Sequence, residues 1–143
     1  MLKMRILMVL TVAAVFAAGF WLGKERTSRA AAKDRVFELR TYTASEGNLQ
    51  ALHARFRNHT TKLFQKHGMQ NIGYWAPTDA PLSQNTLIYL LAYPDREAAK
   101  KAWTDFRNDP DWKKAQQESE VNGKLVSKVD SVYLEPTDYS AMK

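Results

Sequence analysis

An acidic, a basic and an aromatic residue alternate near residue 40, where together they could hold an anionic molecule. Glu38, Arg40 and Tyr42 are spaced two apart, so in a β-strand they project from the same face. An arginine fork suits a carboxylate or a phosphate, and tyrosine supplies an amphipathic wall. Tyr89 and Tyr133 join this group if their strands have the matching phase. We therefore predict these five residues as candidates for binding a small anionic or partly apolar ligand. The alternative is a structural Glu38–Arg40 ion pair at a subunit interface.

Three histidines lie on one predicted helix, namely His53, His59 and His67. His59 and His67 are eight residues apart, which is about 12 Å along a helix axis and too far for a shared metal ion. No metal site is therefore predicted. A single histidine, His59 or His67, could ligate a haem iron axially. The alternative is that His67 packs at the helix end, bonded to a backbone carbonyl, while His59 is partly exposed.

Several classes of function have no support in the sequence. There is no cysteine, and no nucleophile elbow, phosphate-binding loop or dinucleotide-binding glycine motif is present. Residues 1–32 hold five Lys or Arg and one acid, a net charge of +4, whereas residues 33–143 hold sixteen and fourteen, a net charge of +2. The folded part is thus nearly neutral, which argues against a nucleic-acid partner.

Residues 1–35 read as an export signal or membrane anchor followed by a linker. Lys3 and Arg5 precede an uncharged run of 17 residues, 6–22, as in a signal for export. As a helix this run spans about 25 Å, against about 30 Å for a bilayer core. Cleavage after Ala17 or Ala32, or retention as an N-terminal hydrophobic helix, are both open. We expect an exported protein, either periplasmic or attached to the cytoplasmic membrane through this segment alone.

The remaining chain, residues 36–143, reads as one domain of alternating strands and helices. One helix is predicted to bury a stripe that includes Leu52 and Phe56, with Arg55 mostly off that stripe. Asp95 and Asp109 are placed to cap two successive helices, and Pro110 suits a first helical position. The predicted elements are strand 36–43, a helix ending near residue 67, strand 71–76, strand 86–93, two helices starting at 95 and 109, and strand 126–135.

The order β-α-β-β-α-β predicts an α+β, ferredoxin-like fold with a four-stranded antiparallel sheet and both helices on one face. The second face must then be covered, because the third strand is apolar on both sides. A second copy would cover it and form a dimeric α/β barrel with a lumen between the subunits. If Phe37 and Leu39 face the helices, Glu38, Arg40 and Tyr42 face that lumen. Trp75, Trp103 and Trp112 are predicted to anchor the core.

Seven blocks of sequence recur in the same order in one family of proteins. They are ELRTYT (Glu38–Thr43), HTTKLFQKHGM (His59–Met69), GYW (Gly73–Trp75), NTLIYLLAY (Asn85–Tyr93), REAAKKAW (Arg96–Trp103), FRNDPDW (Phe106–Trp112) and SVYLEPTDYS (Ser131–Ser140). On these blocks, the stretch from Phe37 to Tyr139 resembles the NIPSNAP family. The resemblance implies the ferredoxin-like barrel fold and no particular reaction; superfamily relatives bind haem, and eukaryotic members are linked to mitochondria, vesicle traffic and partner binding. This chain departs from those members in its single domain copy and its bacterial-looking export signal.

Three functions follow as hypotheses from the sequence. The first is an exported homodimer that binds a small molecule or a protein partner without strong catalytic activity. The second is a haem-binding or cofactor-free monooxygenase-like enzyme of the dimeric barrel type. The third is a membrane-tethered assembly module organised by the N-terminal segment.

Overall fold

The computed structural model describes residues 35–143, so the predictions for the N-terminal segment lie outside the described residues. Within 35–143 no helix has the length and apolar character needed to cross a bilayer. The elements are β1 (Val36–Ala44), α1 (Leu49–Arg55), a π-helical turn (Phe56–Thr60), α2 (Thr61–Lys66), β2 (Gln70–Trp75), a 3-10 turn (Leu82–Gln84), β3 (Thr86–Tyr93), α3 (Arg96–Asn108), α4 (Pro110–Ser119) and β4 (Val126–Leu134).

The four strands form one antiparallel sheet in the order β2-β3-β1-β4. The two central strands are the first and third in sequence, as a ferredoxin-like fold requires. The registers β1–β3 and β1–β4 set Arg40 opposite Tyr89 and Glu38 opposite Tyr133. The predicted α+β fold and antiparallel sheet are confirmed, and so is the expectation that these residues share one face.

Local chemistry sets the helix ends. Asp95 Oδ1 accepts a hydrogen bond from the Ala98 amide at 2.7 Å, and Asp109 Oδ1 accepts one from the Asp111 amide at 2.8 Å. Each carboxylate therefore satisfies an amide that the first helical turn leaves free. Pro110, next to Asp109, prevents α3 from continuing and starts α4.

The core lies between the sheet and the helices, and aromatic rings dominate it. The Tyr89 ring is fully buried at its centre and lies 5.2–5.9 Å from the rings of Tyr42, Phe56, Phe64 and Tyr74. Most of these ring pairs are edge-on or tilted, the arrangements that aromatic quadrupoles favour. This packing fixes the helix side of the sheet, where the candidate site lies.

The other side of the sheet, called here the open face, carries Phe37, Leu39, Ile88, Leu90, Val132 and Leu134. The C-terminal segment covers one end of it and leaves a second cavity of about 290 Å³, whose lining includes Phe37, Leu90, Pro136 and Met142. Elsewhere the open face is solvent-accessible, and the Val132 side chain is 54% exposed.

Trp75 lies on the open face rather than in the core. It is 52% exposed, so the prediction that it anchors the core is wrong, whereas Trp103 is buried and Trp112 packs against the core. The Trp75 ring lies directly over Gly73, where an added Cβ would come within 2.5 Å of Trp75 Cη2. The glycine two residues earlier thus lets the indole lie flat along the sheet.

Candidate functional site

The Glu38 carboxylate is a buried hydrogen-bonding centre on the helix side of the sheet. Its Oε1 accepts from Arg40 Nη1 at 2.6 Å and from Ser131 Oγ at 2.7 Å. Its Oε2 accepts from the Tyr93 hydroxyl at 2.7 Å and from Trp103 Nε1 at 2.6 Å. Both oxygens are therefore occupied, and the side chain holds β1, β3, β4 and α3 together.

The electrostatics of Glu38 suit a structural anion. Burial by itself raises the pKa of this carboxyl, but the hydrogen bonds from Tyr93, Ser131, Trp103 and Arg40 outweigh it and hold the pKa below its ordinary value. The group stays ionised at neutral pH, so it has no proton to give to a substrate.

The predicted direction of Glu38, Arg40 and Tyr42 toward a lumen is wrong. All three lie under the helices, since Glu38 bonds to Trp103 of α3 and Phe37 and Leu39 lie on the open face. The prediction assumed that the more apolar residues of β1 face the helices. A charge can instead be buried there because four donors satisfy it.

Arg40 and two tyrosines form a polar group beside the Glu38 carboxylate. Arg40 Nη2 donates a long hydrogen bond of 3.4 Å to the Tyr42 hydroxyl, and its guanidinium stacks 4.2 Å from the Trp103 ring. The fully buried Tyr89 hydroxyl has no hydrogen-bond partner among residues 35–143. Burial raises the pKa of Tyr89 well above its usual value. This hydroxyl therefore stays protonated at neutral pH.

Tyr133 lies at the other end of the same face. The guanidinium of Arg96 stacks on its ring at 3.5 Å, and burial raises the pKa of its hydroxyl. Of the five strand residues predicted to bind a ligand, only Tyr42 lines the main cavity described next.

A cavity of about 300 Å³ lies between the sheet and the helices, beneath the π-helical turn. Aromatic side chains form much of its wall, and polar side chains gather on the side of α1, α4 and β4. The lining residues are Tyr42, Arg55, Phe56, Thr60, Phe64, Phe106, Trp112, Gln116, Glu120, Lys124, Val126, Ser127, Lys128 and Val129.

Arg55 directly precedes the π-helical turn and Thr60 is its last residue, and both line this cavity. The Thr60 hydroxyl donates to the Arg55 carbonyl at 3.3 Å, five residues back, and so links the two ends of the wider turn. Arg55 Nη1 donates to Ser119 Oγ at 3.2 Å and to Glu120 Oε1 at 2.9 Å. Single π-helical turns occur frequently at functional sites.

The two histidine candidates lie away from this cavity. His59 is exposed on the π-helical turn. His67 Nε2 lies 2.6 Å from Asp109 Oδ2, and not on a backbone carbonyl as predicted. Nε2 of His67, one of the two ring nitrogens that could ligate an iron, is thus occupied, and neither histidine lines the cavity. These residues do not fit a haem.

A family model described as NIPSNAP matches residues 37–141, which is nearly all of the chain that the structure describes. The chain belongs to the NIPSNAP family. The match confirms the resemblance that the sequence blocks indicated. Among curated proteins, none matches the chain significantly.

Solved NIPSNAP-family structures share the fold. An uncharacterised NIPSNAP-like domain protein from Burkholderia xenovorans aligns with a TM-score of 0.65 and 18% identity, over 76% of this chain and 90% of its own. A NIPSNAP-family protein of unknown function from Agrobacterium tumefaciens aligns with a TM-score of 0.67 and 16% identity, over 78% and 96%. SnoaB, a cofactor-independent oxygenase from Streptomyces nogalater, aligns with a TM-score of 0.50 and 11% identity, over 73% and 95%.

Sequence reasoning missed the polar residues of the cavity in this NIPSNAP domain. Arg55, predicted mostly off the buried stripe, is only 5% exposed. Arg55 ends α1 before the π-helical turn begins, three residues after the buried Leu52. Its buried guanidinium is satisfied by Ser119 and Glu120 at the end of α4, and a pattern within one helix does not reveal such partners. Glu120 and Lys124 come from the α4–β4 connection, which the sequence places only as the end of a helix. One feature of the sequence could have indicated the site. Arg55 stands among apolar helix residues, and an arginine buried there needs an acidic partner such as Glu120.

Proposed function

We propose that this NIPSNAP-family domain binds a small, largely apolar molecule in the cavity beneath the π-helical turn. The observation that carries the proposal is an aromatic-walled space of about 300 Å³ with polar groups at one side. That volume and that mixture of walls are typical of small-molecule sites. The site lies within one protomer, on the helix side of the sheet.

The chemistry of the cavity supports binding more than catalysis. Among the residues 35–143 that line it, the only carboxylate is Glu120, which is paired with Arg55 at 2.9 Å. Glu38, the buried carboxylate nearby in the fold, uses both of its oxygens in hydrogen bonds. A general base needs a free position within reach of the proton that it removes. We therefore assign the domain no strong catalytic activity.

The same proposal includes a homodimer and export. The open face carries a row of apolar side chains on neighbouring strands, and a second copy related by a two-fold axis would cover it. The basic and then apolar residues 3–22 support export to the periplasm or attachment to the cytoplasmic membrane. A membrane-tethered assembly module would share these two features and leave the cavity without a ligand.

A cofactor-free oxygenase is the second candidate function. SnoaB, which shares the fold, is a cofactor-independent oxygenase. In this chain Tyr42 lines the cavity. Behind it, the Arg40 guanidinium donates to the Tyr42 hydroxyl, and the ring of Tyr89, whose hydroxyl is unpartnered within residues 35–143, lies 5.2 Å from the Tyr42 ring. Such donors could stabilise an anionic oxygen on a bound aromatic molecule. Oxygen uptake with the retained molecule, lost on Tyr89→Phe, would favour this candidate over simple binding.

Native mass spectrometry of the full-length protein from its own host tests binding. We expect a retained small molecule, absent from Val129→Trp, whose indole would fill the cavity from β4. Val121→Trp is the matched control, because Val121 is an exposed valine that does not line the cavity. The proposal fails if wild type carries no molecule and also binds no aromatic probe such as 2-naphthol in titration calorimetry.

A further inference from the structure

The guanidinium of Arg55 lines the cavity with hydrogen-bonding capacity to spare. The side chain is buried, and its Nη1 already donates to Ser119 and Glu120. Its Nε is buried and has no hydrogen-bond partner anywhere in residues 35–143. A guanidinium has five N–H donors, and a buried donor left unpaired costs free energy. A ligand oxygen placed at this edge would remove that cost.

Neighbouring side chains hold the Arg55 fork in a fixed orientation. The guanidinium lies over the Trp112 ring at 5.1 Å, and that ring packs 4.5 Å from Phe106. Glu120 fixes one end of the fork. A planar fork held in this way loses little conformational entropy when a ligand binds. The site is therefore prepared for a planar anionic group.

The charge around the cavity favours an anion. Two basic residues, Arg55 and Lys124, line the cavity against the single carboxylate of Glu120. The Lys128 side chain lies opposite Thr43 on the open-face side, where it pairs with Asp130 at 2.8 Å, and is not counted. After the Arg55–Glu120 pair is counted, Lys124 adds a positive charge at this side of the cavity. The opposite walls are aromatic and suit the face or edge of a ring.

We infer that the molecule bound in this cavity is an aromatic carboxylate, with its ring among the aromatic walls and its carboxylate on the free edge of Arg55. The inference rests on the proposed small-molecule function and adds the chemical class of the ligand. A carboxylate matches the planar arginine fork by accepting two parallel hydrogen bonds. The volume of about 300 Å³ accommodates one or two fused rings bearing such a group.

Paired probes test the ligand class in the full-length protein by titration calorimetry. The probes are 2-naphthoate and its neutral counterpart 2-naphthylmethanol, which differ at the carboxylate alone. We expect naphthoate to bind about 10- to 100-fold more tightly, the ratio expected of charge-assisted hydrogen bonds. Arg55→Gln should reduce this ratio to about one.

Glu120→Gln separates ligand recognition from a structural role of Arg55. Removing the partner carboxylate frees the guanidinium, so affinity for naphthoate should rise several-fold, while Lys124→Gln should lower it only slightly. A purely structural ion pair predicts no rise, and this result would overturn the inference even if Arg55→Gln fails to fold. Equal binding of the two probes to wild type would also overturn it but leave the cavity function standing. Binding of neither probe would overturn both.

Discussion

A single buried carboxylate connects three strands of this sheet to α3. Tyr93, Trp103, Ser131 and Arg40 all donate to Glu38, and they come from three strands and one helix. Removing the charge would leave several buried donors without an adequate acceptor, and a buried donor without an acceptor lowers the stability of the fold. At the residue scale, this is the position at which the fold is most sensitive to substitution.

Glu38→Gln should therefore lower the free energy of unfolding by about 2 to 3 kcal/mol. The glutamine amide keeps the shape of the side chain but replaces one acceptor oxygen with an N–H donor. That donor then faces other donors, either Tyr93 and Trp103 or Arg40. Urea denaturation measures the change. Ser131→Ala, which removes one donor near the surface, is the control and should cost less than about 1 kcal/mol. A glutamine variant as stable as wild type would contradict this account of Glu38.

Asp109 should make the stability depend on pH. Hydrogen bonds from Lys66 and His67 hold the pKa of this carboxyl well below its usual range. Since the unfolded-state pKa is about 3.9, the ionised carboxylate stabilises the fold above about pH 4 and loses that contribution as the pH falls through the lower, folded value. Asp109→Asn should be less stable than wild type at pH 7, with a difference that shrinks below pH 4.

Asp95→Asn is the matched control for this pH effect. Asp95 also caps a helix through its side chain, and asparagine caps nearly as well as aspartate. Within residues 35–143, however, no basic side chain forms an ion pair with Asp95. Thermal unfolding between pH 2.5 and 7 should show the pH-dependent difference for Asp109→Asn alone. Parallel curves for the two variants would mean that Asp109 acts only as a cap.

Alternation along the strands could predict which residues share a face, but not which side that face takes. Arg40, Tyr89 and Tyr133 were grouped correctly, because residues two apart in paired strands stay together. β3 is apolar on both sides, so hydrophobicity does not distinguish the helix side from the open face. Glu38 lies on the helix side because the indole N–H of Trp103, on α3, needs a buried acceptor. No pattern within β1 reveals that contact.

At the scale of elements, the π-helical turn decides the shape of the cavity. One extra residue widens the winding between Arg55 and Thr60, and both residues then line the same space. Strand and helix positions agreed with the sequence prediction to within about two residues, since turns, caps and glycines mark them locally. Phe56 and Thr60 are four residues apart, a spacing that places both on the same side of a regular helix and of a π-helical turn. The pattern of buried residues therefore does not reveal the turn.

Deletion of Asn58, an exposed residue of the π-helical turn, should remove the turn but preserve the fold. The flanking helices then join in regular winding with their buried residues in place, so the melting temperature should change little. The cavity beneath should narrow, and affinity for 2-naphthol should fall at least about tenfold. Circular dichroism and titration calorimetry give the two measurements.

Deletion of Lys62 provides the control for this experiment. Lys62 is likewise exposed, but it lies in regular α2, where losing one residue rotates the rest of the helix by about 100°. Leu63 and Phe64 would leave the core, so this variant should unfold. If both deletions are equally damaging, the π-helical turn is not a removable insertion.

At the scale of the whole molecule, the open face is an apolar surface that a single domain leaves largely uncovered. Its apolar residues run across β3, β1 and β4, and the C-terminal segment covers only one end of them. Trp75, flat over Gly73, extends this surface to β2. A monomer would leave the row of aliphatic and aromatic side chains in water. A symmetric pairing of two sheets would bury it and leave the ligand cavities on the outer, helix sides.

The proposed homodimer predicts that Val132→Lys makes residues 36–143 monomeric without unfolding them. The valine is 54% exposed in the protomer, so a lysine costs little there, but burying its charge between two apolar sheets is expensive. Val121→Lys makes the same change at a valine that is 75% exposed on the turn after α4, and should leave the dimer intact. Sedimentation velocity at micromolar concentration distinguishes the two states. Wild type that sediments as a monomer, or equal association by both variants, would show that this face does not pair with a second copy.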